Sequence, residues 1–125
     1  MQHSEINRYY NDLKYRIKDE KIRSRLMKIL AYVLRRIAYD IKYNNILSKD
    51  SIRKYVYTAY ADFRIFEIGV EPQSIEESAK AIVNITYTAI EKNYKKLSFI
   101  EKALMHIIIC SNAQEKRLSG FCELR

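Results

Sequence analysis

The stretch KIRSRLMKILAYVLRRIAYDIKY, residues 21 to 43, is the longest regular pattern in the chain and decides its fold class. Ile22, Leu26, Ile29, Leu30, Val33, Ile37 and Ile41 recur every three or four residues, the period of one buried stripe on an α-helix. Lys21, Arg25, Lys28, Tyr32, Arg35, Tyr39 and Lys42 fall on the opposite face at about 100° per residue. A third arc, Met27, Ala31, Leu34 and Ala38, is apolar as well, so roughly half of the circumference is unsuited to water. Either this helix is the centre of a bundle, or the extra arc packs on a second chain.

Working outward, the segment before it carries Ile6, Tyr9/Tyr10, Leu13 and Ile17 at helical spacing, opened by Ser4 and ending or kinking near Asp19. After it, Asn44 and Asn45 suit a helix terminus, because Asn tolerates the left-handed conformation. A third helix is expected from Ser48 or Asp50, with Ile52, Val56, Ala59, Phe63 and Phe66 inward and Gly69 just past its end. Pro72 marks a break. Ser74-Ile-Glu-Glu77 and Ser98-Phe-Ile-Glu101 read as reciprocal caps that open two further helices. Their core positions are Ile75, Ala79, Ile82, Thr86, Ala89 and Ile90, then Ile100, Ala103, Leu104, Ile107 and Ile108. The tail beyond Asn112 reads as a further turn or two that frays from Gly120.

The composition agrees with this pattern. A single domain of 125 residues with 48% hydrophobic content has enough apolar surface for a core. Two glycines and one proline are too few for the turns of an all-β protein. The expected fold is therefore all-α, a compact bundle of about five helices with short connections. No apolar run approaches the roughly 18 residues of a membrane span, so no membrane association is expected. The lack of a signal-like opening and the two cysteines suggest a reducing, cytoplasmic setting. Abundant Ile, Lys and Tyr fit an AT-rich archaeal or viral coding sequence.

Charge separates the two halves. Residues 1 to 64 hold fifteen Lys/Arg against seven Asp/Glu, whereas residues 65 to 125 hold eight of each, so the whole +8 excess lies in the first half. Nine of the eleven tyrosines lie there too. Phosphate-neutralising side chains interleaved with rings that stack on bases point to a nucleic-acid partner, DNA or RNA. The face of residues 21 to 42 opposite the core contains no acid, which distinguishes it from ordinary solvated faces of mixed sign. Arg53 and Lys54, in the first turns of the third helix, extend the candidate site, since a helix start already favours an anion. Arg8, Lys14, Arg16, Lys18 and Lys49 join them if the bundle places these helices on one side. Few base-reading side chains accompany these cations, so backbone or shape recognition is expected.

Other chemistry is not indicated. Asp40, set in the apolar face, is expected to pair with Arg36 or to make a polar contact at the helix end. Glu76 and Glu77 lie in a first turn, where they complement the helix dipole. His106, Cys110, Cys122 and His3 lack the close-spaced pair of a zinc site, so no metal or other cofactor is expected. Cys110 reads as a small buried residue, with a disulfide to Cys122 as the alternative. No glycine-rich phosphate loop, nucleophile context or acidic cluster points to an enzyme.

Residues 94 to 109, YKKLSFIEKALMHIII, loosely resemble a helical passage of the NusB family of RNA-binding antitermination factors and of the GINS replication proteins. That similarity spans about an eighth of the chain, and no residue roles carry over from it. The expected function is non-catalytic nucleic-acid binding. The alternative is a helical adaptor of a larger complex whose basic face meets an acidic protein. A homodimer or another protein partner is the expected cover for surplus apolar surface.

Overall fold

A computed structural model describes residues 2–115, with side chains described for residues 8–110. Among the described residues there are six α-helices: α1 Gln2–Arg16, α2 Glu20–Arg23, α3 Leu26–Lys42, α4 Lys49–Asp62, α5 Pro72–Lys92 and α6 Leu97–Glu115. A single 3-10 turn, Ile65–Glu67, follows α4. The described residues contain no strand. The fold is the all-α bundle expected from the hydrophobic period, with one helix more because the longest one is broken.

The break falls at Ser24–Arg25 and has a local cause. In an unbroken helix the Lys21 carbonyl would accept from the Arg25 amide. Here it accepts from the Ser24 hydroxyl at 2.9 Å and the Arg25 guanidinium at 3.1 Å, while the Arg25 amide turns to Ile22 at 3.0 Å. A serine hydroxyl bonding back to its own helix is a known competitor of the backbone ladder. The short α2 begins at Asp19, whose carboxylate accepts from the Lys21 and Ile22 amides at 2.9 and 3.3 Å.

The most extensive helix pairings run α3–α4, α4–α5, α5–α1, α1–α6 and α6–α3, closing a ring around one core. Neighbours on two sides explain the broad apolar circumference of α3. Ile29, Leu30, Val33 and Ile37 point inward with 1% exposure or less. The extra arc is covered by α6 within the same chain: Met27 and Leu34 are buried, while Ala31 and Ala38 are partly so. Each such Leu or Ile contributes roughly 1.5–3 kcal/mol by leaving water.

Polar groups join the helices at specific points. The Tyr10 hydroxyl donates to the Ala103 carbonyl at 3.1 Å and ties α1 to α6. Tyr60 and Ser78 meet at 2.6 Å between α4 and α5, and Ser78 donates onward to the Ile75 carbonyl at 2.9 Å. Burial raises both phenols above the ordinary tyrosine range.

Several boundaries differ from the sequence reading. α4 stops at Asp62 because Arg64 turns left-handed, φ 60°. The residues after it rotate out of phase, so Ile65 is buried while Phe66 is exposed; within α4 Tyr60 is buried, and Phe63 at its end is only half-buried. Gly69 does take positive φ, 77°, as expected for it. α5 starts at Pro72, whose fixed φ and missing amide suit the first helical position. Ser74 is therefore inside the first turn and caps nothing. α6 begins before Ser98, with the Lys96 carbonyl accepting from Phe99 and Ile100 at 3.1 and 3.3 Å. The reciprocal cap that does form is Ser48–Ser51, each hydroxyl accepting from the other residue's amide at 3.2 and 2.9 Å. His106 and Cys110 are buried and lie 3.4 Å apart, whereas Leu104 and Ile108 are only half-buried. Cys122, the tail from Gly120 and the side chains of His3 and Ile6 lie outside what is described.

Candidate nucleic-acid interface

The α3 surface left uncovered by α4 and α6 carries Lys28, Tyr32, Arg35, Tyr39 and Lys42 within an arc of about 80°. Lys28, Arg35, Tyr39 and Lys42 are exposed, and Tyr32 is half-buried against the core. Arg36 and Tyr43, exposed on the α4 side of this row, widen it. No acid interrupts it. Among the described residues the ion pairs are Lys80–Glu76 at 3.8 Å and Lys95–Glu91 at 3.2 Å, so none neutralises a cation of α3.

The C-terminal end of the row is aromatic. Tyr39 and Tyr43 are 55% and 56% exposed, with ring centroids 4.6 Å apart and planes tilted by 46°. The Lys42 ammonium lies 5.6 Å from the Tyr43 ring centre. Beyond them the turn to α4 presents Ile46 at 89% exposure.

That turn is held by buried Asp40. The helix closes with Asn44 left-handed, φ 55°, while the Asn45 amide bonds the Asp40 carbonyl at 2.8 Å and the Asn44 amide bonds Ile41 at 3.3 Å. The Asp40 carboxylate accepts from the Asn45 side chain at 3.2 Å and from the Tyr55 hydroxyl of α4. Arg36 stacks over the Tyr55 ring at 5.2 Å instead of pairing with Asp40. Of the two roles expected for Asp40, the structure shows the polar contact at the helix end. Burial, then the hydrogen bond to Asp40, raises the Tyr55 phenol above its ordinary value.

The other expected site residues lie elsewhere. Lys21 belongs to α2, and its ammonium donates to the Ile68 carbonyl at 2.9 Å, beside Gly69. Arg25 is half-buried and locks the break through its bond to the Lys21 carbonyl. Both precede α3, at or before the break, and both make bonds that hold the fold. On α4, Tyr55 turns toward α3, whereas Arg53 turns toward α5 and lies over Tyr57 at 5.4 Å. Arg53 shares a groove with Lys49, Asp50, Glu76 and Lys80, where acids interleave the cations. Lys54 is exposed on the outer face of α4. α1 pairs chiefly with α5 and α6.

Tyr43, Arg36 and Ile46 were missed in the sequence reading of the site. Tyr43 stands four residues after Tyr39, the spacing that makes helical neighbours, and that was the available signal. The exposure of Ile46 had none. Among the described residues no three potential metal donors converge, and no helix is long and apolar enough to cross a membrane. No protein-family model, curated protein or solved structure matches this chain.

Proposed function

We propose that the chain is a non-catalytic nucleic-acid-binding protein that tracks phosphates with the α3 row. The observation that carries this reading is an acid-free line of exposed cations, Lys28, Arg35, Arg36 and Lys42, with no ion-pair partner among the described residues. Lys28, Arg35 and Lys42 are spaced by seven residues, about 10.5 Å along the axis, and so address one backbone several nucleotides apart. Four phosphate contacts give a salt slope of about −3 on single strands and about −3.6 on duplex.

The test is a binding titration at several salt concentrations. Lys28→Glu with Arg35→Glu should lower affinity alike for all sequences and flatten the slope by about 1.5. Lys21→Gln should leave the slope unchanged, because that ammonium serves the Ile68 carbonyl. A folded double variant that binds as the parent does would remove the reading.

The second reading, an adaptor whose basic face meets an acidic protein, is favoured by a different observation. Met105 and Ile109 of α6 are 58% and 41% exposed, and Ile108 lines a groove with Lys28 and Arg35. Apolar residues rimmed by charge resemble a protein interface. Self-association through α6 would appear in sedimentation as a dimer that Met105→Lys dissociates.

A further inference from the structure

We infer that the row ends in a base-stacking platform, Tyr39 with Tyr43, and that the preferred ligand is therefore a single-stranded nucleic acid. This rests on the phosphate-tracking reading above and goes beyond it by naming the strand state. In a duplex the π-faces of the bases are covered by their neighbours, whereas an unpaired strand offers them freely. Two half-exposed rings within a basic face match the second situation.

The position of α3 supports the same choice. It lies between α4 and α6 with buried residues on both flanks, so it forms part of the bundle wall instead of standing out from it. A reading helix has to enter a groove about 12 Å wide with phosphates on either side. Here the cations form one line down the exposed arc, which suits one strand laid along the wall. The rings are tilted by 46° against each other, so a base does not slide between them. It stacks on an outer face of the pair, beside Lys42, which reaches the adjoining phosphate.

The platform is also preorganised. Asp40, 5% exposed, fixes the turn through Asn45 and binds α4 through Tyr55. The backbone that carries the aromatic pair is thus set before a ligand arrives, which reduces the ordering cost of binding. Tyr32, half-buried, offers less of its ring to a base than either of the pair.

The experiment compares a labelled oligothymidylate, an oligouridylate, an abasic strand of equal length and a duplex, at about 0.15 M salt. The parent protein should bind both base-bearing single strands more tightly than the duplex, and the abasic strand less tightly than either. Tyr39→Ala and Tyr43→Ala should each lower single-strand affinity by about 5- to 150-fold with the salt slope unchanged, and should leave the duplex and the abasic strand unaffected. The Phe variants should bind as the parent does, since stacking needs the ring and not the hydroxyl. Equal parent affinity for the abasic and base-bearing strands, or equal losses on duplex and single strand, would overturn the inference while leaving phosphate tracking in place. No binding to any of the four would remove both.

Discussion

Replacing Asp40 by Ala tests whether the α3–α4 corner is built as described. The carboxylate is 5% exposed and accepts from two donors, the Tyr55 hydroxyl and the Asn45 side chain. A hydrogen bond to a charged acceptor contributes about 1.5–3 kcal/mol, and that is the share expected of Tyr55, which is half-buried. Asn45 is exposed and recovers water, so its bond adds only about 0.5–1 kcal/mol. Asp40→Ala should therefore cost about 2–4 kcal/mol, a large part of the roughly 5–15 kcal/mol that holds a domain folded. Denaturant unfolding of Asp40→Ala, Tyr55→Phe and the double variant isolates the pair. A coupling energy of about 1.5–3 kcal/mol is expected. Additive single effects would show that Tyr55 does not anchor the turn, and would refute the account of how the aromatic pair is positioned.

Other consequences are more local. Tyr94 and Arg64 hold left-handed backbone, φ 58° and 60°, at the ends of α5 and α4, so Tyr94→Gly and Arg64→Gly should each stabilise by about 1 kcal/mol. Thermal unfolding should then rise by about 4 °C for either variant, and no rise would count against those turns. Ser78→Ala leaves the buried Tyr60 hydroxyl without its acceptor and should cost about 1–3 kcal/mol, a loss that Tyr60→Phe on the same background should largely recover. Tyr10, Tyr55 and Tyr60 are all held above the ordinary phenol value, so the unfolded chain releases these protons first. Their contribution to stability is full below about pH 10 and is lost as pH rises above it. In an ultraviolet titration, the ionisation of Tyr10 and Tyr60 should coincide with loss of helical circular dichroism. Complete, reversible ionisation of all eleven tyrosines in a folded chain would contradict their burial.

The class of fold was legible in residues 21 to 43 together with the composition, because a broad helical period of apolar side chains needs cover, and a chain with two glycines and one proline has too few turn residues to supply it from sheets. Core membership followed for most positions of the unbroken helices: Ile29, Leu30, Val33 and Ile37 on α3, and Ile75, Ala79, Ile82 and Ile90 on α5, are all buried, whereas Ile41, Leu104 and Ile108 at the edges of their stripes are half-buried. These are properties of a repeating backbone geometry, and sequence carries them directly.

What the sequence did not carry was the identity of each carbonyl's partner. The break at Ser24 turns on which donor reaches the Lys21 carbonyl, and that competition among side chains and amides sets Lys21 and Arg25 apart from α3. Ser74 and Ser98 had the spacing of caps, but Pro72 and the left-handed residues Tyr94 and Lys95 delivered the chain into its helices earlier. The candidate site depended still more on tertiary structure. Both Arg53 and Tyr55 are on α4, yet one faces α5 and the other α3, and only the order of helices around the ring decides that. Sequence alone determined that a basic, tyrosine-rich helix face would remain in water, since burying those charges is costly. Which of its members stand side by side, and that the turn after Tyr39 and Tyr43 is held by Asp40 and Tyr55, was decided by packing between helices.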